Sequence, residues 1–308
     1  MTIAIDAAAH QPRSASVGDR LRGFLPRLVL APSFALVMFF VYGFILWTIY
    51  LSFTRSRMMP LYEFVGFDSY IRLFAQPNWY KALENLWIFG SLYIGISIAL
   101  GLSLAILIDQ RIRGEGVFRS IYLYPMALSF VVTGTAWKWF LNPGLGLDKT
   151  MHAWGWESFK FDWLINSDMA IYTIVIAGVW QSSGFVMAMF LAGLRGIDGE
   201  IMKAAQIDGA STFATYRRIV IPMLRPVFLS AVIVLAHLTI KSYDLVIALT
   251  GGGPGNATEL PSTFMYSYTF TRNQMSVGAA SAVIMLMTIA AVIVPYLYSE
   301  LREPRHGR

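Results

Sequence analysis

The sequence predicts an all-α membrane protein of six transmembrane helices, with a helical elbow on the cytoplasmic side between spans four and five. Three observations predict it. Charged residues make up only 14% of the 308, where a soluble chain of this length carries about 25%. Six long runs are nearly free of charge, and a helix needs about 20 apolar residues to cross roughly 30 Å of hydrocarbon. Lys and Arg also collect in alternate connections between those runs, as in a multi-pass protein whose cytoplasmic loops are basic.

The runs cover residues 28–53, 85–108, 117–141, 170–194, 221–250 and 277–298. They are continuous, unlike the short alternating strands of a membrane barrel, and they leave no room for a separate soluble domain. The expected organisation is a tail over 1–18, one six-helix domain over 19–300, and a tail over 301–308. With the N-terminus inside, the inside segments hold fifteen Lys and Arg. The outside loops hold seven: Arg55, Arg57, Arg72, Lys81, Lys149, Lys160 and Arg272. This bias puts both termini in the cytoplasm. The net charge of +6 therefore reads as membrane topology; nucleic-acid binding would gather the basic residues on one folded face. The absence of cysteine excludes disulfides, thiolate metal sites and a Cys nucleophile.

In chain order, residues 1–18 have a disordered composition. The first 27 residues lack the apolar core of a signal peptide and read as a cytoplasmic tail. Residues 19–32 alternate Arg with Leu and Phe, which suits either a short helix among headgroups or ordinary juxtamembrane anchoring. The outside loop 142–169 opens on Asn-Pro-Gly and then crowds Trp154, Trp156, Phe159, Phe161 and Trp163, an interfacial belt or a docking surface. In the third span Pro125 predicts a kink, with Met126 and Ser129 facing a path. Lys138, between Trp137 and Trp139, snorkels to the interface.

The fourth span is interrupted by Trp180, Gln181, Ser182, Ser183 and Gly184, which serve helix packing or offer a sugar an apolar face with directed hydrogen bonds. In the fifth span Lys241 and Asp244 stand three apart, so on one helix face they can pair structurally or line a path. His237, one turn earlier, is either a satisfied buried histidine or a further path residue. The stretch 249–274 returns outside and breaks on three glycines and a proline.

Residues 195–226, "RGIDGEIMKAAQIDGASTFATYRRIVIPMLRP", form the elbow. "EIMKAAQI" favours helix. Adjacent Ala204 and Ala205 allow close approach by another protein. Asp208 is placed to cap a second helix starting near Ala210, and Gly209 allows the turn. On the second helix Tyr216, Ile219 and Val220 face inward, leaving Arg217 and Arg218 to the headgroups. A plain connection takes about 2–8 residues, so this length argues for gripping a partner.

"KAAQIDGAS…IVIP" resembles the coupling loop of permease subunits in bacterial ABC importers, through Ala204, Ala205, Asp208, Gly209, Ala210 and Pro222. Lys203 stands where that family usually has Glu, and Glu200 lies one turn earlier. "YDLVIALTGGGPGNAT" is similar to the end of the fifth core helix in the carbohydrate-uptake branch (the maltose and glycerol-phosphate type), through Tyr243, Asp244, Leu249, Thr250, Gly252, Gly253, Pro254 and Thr258. The resemblance covers roughly residues 20–300 and includes "NPGLGL" after the third span.

The resemblance implies an importer subunit in the bacterial inner membrane. Its partners would be an ATPase dimer seated by Glu200, Lys203, Ala204, Ala205, Asp208, Gly209 and Ala210, a related but different permease, and an extracytoplasmic sugar-binding protein. Its path would include Trp180, Gln181, Ser182, Phe185 and Tyr243 besides Met126, Ser129, His237, Lys241 and Asp244. There is no Gly-x-x-x-x-Gly-Lys-[Ser/Thr] loop, so no cofactor is expected on this chain and ATP with its Mg belongs to the ATPase. A neutral mono- or disaccharide fits better than glycerol-phosphate, which would want more cations than Lys241. The competing readings are an ion-coupled secondary transporter or channel using Lys241 and Asp244, and an intramembrane enzyme. Six spans without duplicated halves count against the first. The absence of HExxH and GxSxG counts against the second.

Overall fold

A computed structural model describes residues 29–110 and 112–302. The expected tail 1–18, residues 19–28 of the headgroup segment, Arg111 and residues 303–308 of the C-terminal tail lie outside the described residues. The chain divides into two compact units, residues 1–50 and 51–308.

The first unit holds most of helix α1 (Val29–Ser52). A π-helical turn over Met38–Tyr42 interrupts it. The rings of Phe40, Phe44 and Trp47 follow one another at 6.0 and 6.4 Å, which is the i, i+4 and i, i+3 spacing of one helix face.

In the second unit a short α2 (Asp68–Phe74) leads into α3 (Pro77–Asp109). Pro77 sits in the first turn of α3, where its missing N–H costs nothing. That start comes eight residues before the apolar run at 85, because the amphipathic turn 77–84 continues the helix beyond the hydrocarbon. The next helices are α4 (Glu115–Ala127) and α5 (Phe130–Phe140), then α6 (Leu147–Ala153) and α7 (Ala170–Arg195). The elbow contributes α8 (Gly199–Ile207) and α9 (Thr212–Met223), the latter with a π turn at Tyr216–Val220. They are followed by α10 (Arg225–Ile240), α11 (Asp244–Leu249), α12 (Pro261–Tyr266) and α13 (Met275–Arg302).

Four helices (α1, α3, α7 and α13) are long and apolar enough to span a membrane; counting each bent pair as one span gives six. The third and fifth spans are not single helices: the bend in the third follows the kink expected at Pro125, while the break in the fifth corrects the sequence reading of one run over 221–250. α4 and α5 meet at 100°, and α9 and α10 at 64°. The third span kinks three residues past Pro125. Leu128 and Ser129 are extended (ψ 146° and 150°), and Ser129 Oγ accepts from the Val132 N–H at 3.3 Å to start α5. In the fifth, Pro222 and Pro226 each remove a helical donor on either side of Leu224.

The core is the seam between α3 and α7. Phe89 and Tyr93 stack at 5.2 Å and lie over Gly178, where a Cβ would come within 3.2 Å of the Tyr93 ring. Phe190 closes the end nearer the elbow against Phe228 at 4.6 Å. A second cluster of Leu73, Trp79, Phe264, Tyr268 and Val277 joins α2, α3, α12 with the segment that follows it, and α13.

The aromatic loop after α5 is folded. Asp148 Oδ1 accepts from the Phe161 N–H at 2.9 Å, and Phe161 stacks on Trp163 at 4.9 Å, while Trp154 and Trp156 stay exposed.

Candidate functional site

Two places carry polar chemistry that packing alone does not require: the meeting of the two broken spans, and the elbow.

α10 ends at Ile240, and Lys241, Ser242 and Tyr243 leave the helix before α11 begins at Asp244. The backbone groups freed there are partly reclaimed. Ser242 Oγ donates to the Leu238 carbonyl at 2.8 Å, and Ser262 Oγ donates to the Ser242 carbonyl at 3.1 Å. Lys241 and Asp244 therefore flank a break instead of sharing a helix face, and no ion pair joins them among the described residues. This corrects the expected i, i+3 pair: helical spacing holds only where the helix continues.

The first residue of α5, Phe130, reaches the same break. A cleft of about 100 Å³ is lined by Phe130, Leu238, Lys241, Ser242, Tyr243, Asp244 and Leu245. α5 and α11 touch closely enough that a Cβ on Gly134 would lie 2.6 Å from the Ala248 Cβ. Non-helical backbone at membrane depth persists only where it is buried in protein or lines a cavity, and here residues 241–243 line a cleft that Phe130, the residue after the third-span break, also walls.

α7 holds the third-span break. Gln181 Nε2 donates to the Leu128 carbonyl at 2.8 Å, and Gln181 Oε1 is buried with no partner among the described residues. Ser182 Oγ is bonded to Tyr93 OH at 2.6 Å and is buried. Trp180 meets Trp137 edge to face at 5.8 Å and lines a different, largely apolar cleft of about 530 Å³ with Ile121, Pro125 and Ser183. Phe185 packs against the α3–α7 core. Met126 is exposed at the end of α4, Ser129 is exposed at its cap, and His237 is exposed one turn before Lys241. The structure thus brings Lys241, Tyr243 and Asp244 together, puts Gln181 on the neighbouring break, and sets Trp180 apart from both. The sequence reading missed Phe130, Ser242 and Tyr93. A serine three residues before a backbone N–H is a capping signal, so Ser129 could have revealed the break and with it Phe130.

In the elbow, Asp198 Oδ1 accepts from the Glu200 N–H at 2.9 Å and caps α8. The helix ends in a Schellman turn: the Gly209 N–H reaches the Gln206 carbonyl at 3.1 Å and the Ala210 N–H reaches the Ala205 carbonyl at 3.0 Å. Gly209 has φ +74°, which glycine adopts without strain. The cap of the second helix is Ser211, whose Oγ accepts from the Ala214 N–H at 3.3 Å. Asp208 instead ends α8, which corrects its expected capping role. The alanines divide their work: Ala205 is buried, while Ala204 is exposed beside Lys203. Ile207 and Phe213 stand out at 86% and 74% exposure. Val220 is buried and Arg217 and Arg218 are exposed, as the pattern predicts.

The elbow is tied to the bundle. Gln110 Nε2 donates to Tyr216 OH at 3.1 Å. Arg195 bonds Glu115 Oε1 at 2.7 Å and lies 3.8 Å from Asp109 Oδ1. The three helix ends that meet here belong to α3, α4 and α7.

At the opposite end the glycine-rich loop after α11 is clasped by Thr250 and Thr258, whose hydroxyls lie 2.7 Å apart. Asn85 Nδ2 holds the Ala257 and Glu259 carbonyls, each at 2.9 Å. Glu259 is buried, its Oε2 has no hydrogen-bond partner among the described residues, and burial pushes its carboxyl up to about 7 against the downward pull of Arg272. Among the described residues no cluster of three His, Asp or Glu could hold a metal.

Comparison with known proteins narrows what this arrangement is. Residues 95–305 match the family described as the inner membrane component of binding-protein-dependent transport systems. A probable ABC transporter permease of Pyrococcus horikoshii is 42% identical, over 88% of this chain and 94% of the relative. A xylose/arabinose import permease of Haloferax volcanii is 34% identical over 88% and 86%. A trehalose/maltose transport permease of Thermococcus litoralis is 30% identical over 88% and 91%. The fold is shared with a chain of a bacterial ABC transporter that imports the acidic polysaccharide alginate, with a TM-score of 0.80 at 18% identity, covering 94% of this chain and 99% of that one.

Proposed function

The chain belongs to the family of inner membrane components of binding-protein-dependent transport systems, the ABC permeases, and from that premise we propose that it imports a small neutral carbohydrate, a mono- or disaccharide. It is a transporter subunit and not an enzyme. The observation that carries the substrate class is the cleft where the two broken spans meet. It sets the ring of Phe130 beside Lys241, Ser242, Tyr243 and Asp244. Such a site offers an apolar face together with hydroxyl-bonding donors and acceptors, which is what a sugar ring needs. At about 100 Å³ it is too small for a whole sugar. A second, related permease would supply the facing wall. The sugars named for the Haloferax and Thermococcus relatives support the same class.

The topology has both termini in the cytoplasm. The elbow then faces the cytoplasm, where α8 seats on an ATPase through Ala204, Asp208 and the exposed Ile207. ATP and Mg bind on that partner. Closure of the ATPase dimer moves the elbow, and the ties from Arg195 and Tyr216 carry the motion to α3, α4 and α7. An extracytoplasmic binding protein delivers the sugar from the other side. The separation of Lys241 and Asp244 weighs against an ion relay between them.

The test is co-purification of the tagged chain from native membrane in mild detergent, followed by uptake of labelled sugars into proteoliposomes. Recovery of a P-loop ATPase with the wild type, and its loss on Asp208→Lys or Gly209→Val with the spans still inserted, is the expected result. Recovery of the chain alone, transporting without ATP, would overturn the proposal.

A further inference from the structure

The side of the chain opposite the elbow carries four arginines and three lysines in its loops, and all four arginines line one cleft. Arg55, Arg57, Arg72 and Arg272, with Gln76 and Gln274, enclose about 590 Å³. We propose that this cleft is the point at which carboxylate side chains of the extracytoplasmic binding protein dock. The inference rests on the topology and partner given under the proposed function, and goes beyond it by naming the surface and its chemistry.

The convergence is built by the fold, since the four residues come from three separate stretches. The loop after α1 is tied to the start of α13 by the Met275 N–H on the Arg57 carbonyl at 3.3 Å and the Ser276 N–H on the Ser56 carbonyl at 3.0 Å. Arg272 is held in place: its guanidinium lies 4.5 Å from the centre of the Tyr268 ring, and Nη1 donates to Tyr268 OH at 2.8 Å. Tyr268 OH in turn donates to Gln76 Oε1 at 2.8 Å. Arg72 is paired with Asp68, and Arg55 lies 3.5 Å from Glu63. Arg57 and Arg272 make no ion pair among the described residues. The cleft therefore keeps a positive surplus, on guanidinium groups that bind carboxylates in a planar, two-pronged geometry.

What surrounds the cleft favours a protein over a free anion. Met58 lines the cleft and is 71% exposed, and Met59, Tyr62 and Phe64, exposed as well, follow it in the same loop. Arg, Met and aromatic residues are the types enriched where proteins meet. A phosphate ion would gain nothing from that apolar collar. Lysine, the commoner basic residue of a merely solvated surface, is absent from the cleft.

Arg57 is the residue to change, because it is exposed and its side chain makes no ion pair among the described residues. The importer complex is placed in nanodiscs of neutral lipid, and the binding protein that co-purifies with the wild type is titrated onto it at several salt concentrations. The proposal expects Arg57→Glu to weaken docking about tenfold or more at low salt and to flatten its salt dependence, with ATPase assembly and basal ATP hydrolysis unchanged. Since the chain has no cysteine, Arg57→Cys gives a single cross-linking site. The expected adduct is at an acidic surface of the binding protein, where a Glu→Arg change restores docking to Arg57→Glu. Unchanged affinity and salt slope in Arg57→Glu would overturn the proposal. So would competition by millimolar phosphate at constant ionic strength, or a defect confined to anionic-lipid discs, since these assign the cleft to a free anion or to headgroups. If no binding protein accompanies the wild-type importer at all, the proposed function itself fails, which is a different result from failed docking.

Discussion

Gln181 on α7 donates to the carbonyl of Leu128 at 2.8 Å, so the middle of one span holds the break in another. Leu128 ends α4 in an extended conformation, and its carbonyl has no helical partner to accept from. Gln181→Leu removes the partner of that half-buried carbonyl, a loss of about 1 kcal/mol. The expected outcome is a lower unfolding temperature in detergent and at least a tenfold drop in sugar uptake, with the ATPase still bound. Uptake equal to wild type would return Gln181 to simple packing.

Glu259 makes stability depend on pH in the direction opposite to most carboxylates. Burial raises its folded value from 4.5 to about 7, so the folded chain holds the proton more tightly than the unfolded one. Below about 4.5 both states are protonated and the group is neutral in effect. From there stability falls as pH rises toward 7, because the unfolded chain ionises first, and the penalty is constant above it. Glu259→Gln removes the slope. Thermal unfolding of the detergent-solubilised chain between pH 5 and 8 measures this. Equal slopes in the two proteins would mean that Glu259 is not the group responsible.

Most of the bundle was legible in the sequence because hydrocarbon thickness is a length constraint that apolar runs obey directly. Spans α1, α3, α7 and α13 follow from it within a few residues, except where α3 runs on past the apolar stretch into Pro77. The breaks were not legible in the same way. A run such as 117–141 stays apolar through Leu128, and only the pairing of Pro125 with a capping Ser129 marks the bend. The elbow was legible as punctuation: Gly209 does adopt the left-handed conformation the turn needs. Which residue caps which helix was not, because Asp208 and Ser211 are both good caps and the Schellman turn decides between them. Lys241 and Asp244 were placed on one face by counting along a helix that stops between them. The arginine cleft lies wholly in tertiary structure, since residues 57 and 272 are brought together by the contact between the loop after α1 and the start of α13.

Arg195 stands at the end of α7, where the elbow begins, and ties it to Glu115 at the start of α4. The pair is partly exposed, so Arg195→Ala shifts stability by less than about 1 kcal/mol. Its effect falls on coupling. The assembled importer keeps its ATP hydrolysis but moves fewer sugars per ATP, and Arg195→Glu combined with Glu115→Arg recovers part of the ratio. A double variant no better than either single one would remove the ion pair from the coupling path.

Gly184 sits where α4 presses against α7. A Cβ at this position would lie 1.7 Å from the Tyr122 carbonyl oxygen. That oxygen belongs to backbone, which cannot step aside as a flexible side chain does, so Gly184→Ala must push the two helices apart along the seam that also carries the Gln181 hydrogen bond. A loss of more than about 2 kcal/mol is expected, from overpacking together with the disturbed break. Gly116, in the first turn of α4, is the matched control. A Cβ there meets nothing within 4 Å, so Gly116→Ala is neutral or stabilises by up to about 1 kcal/mol through the smaller backbone entropy of the unfolded chain. Size-exclusion profiles and unfolding temperatures of the two variants, purified side by side, test the close approach. A monodisperse Gly184→Ala protein with the wild-type unfolding temperature would show that α4 and α7 do not meet as tightly as the 1.7 Å distance requires.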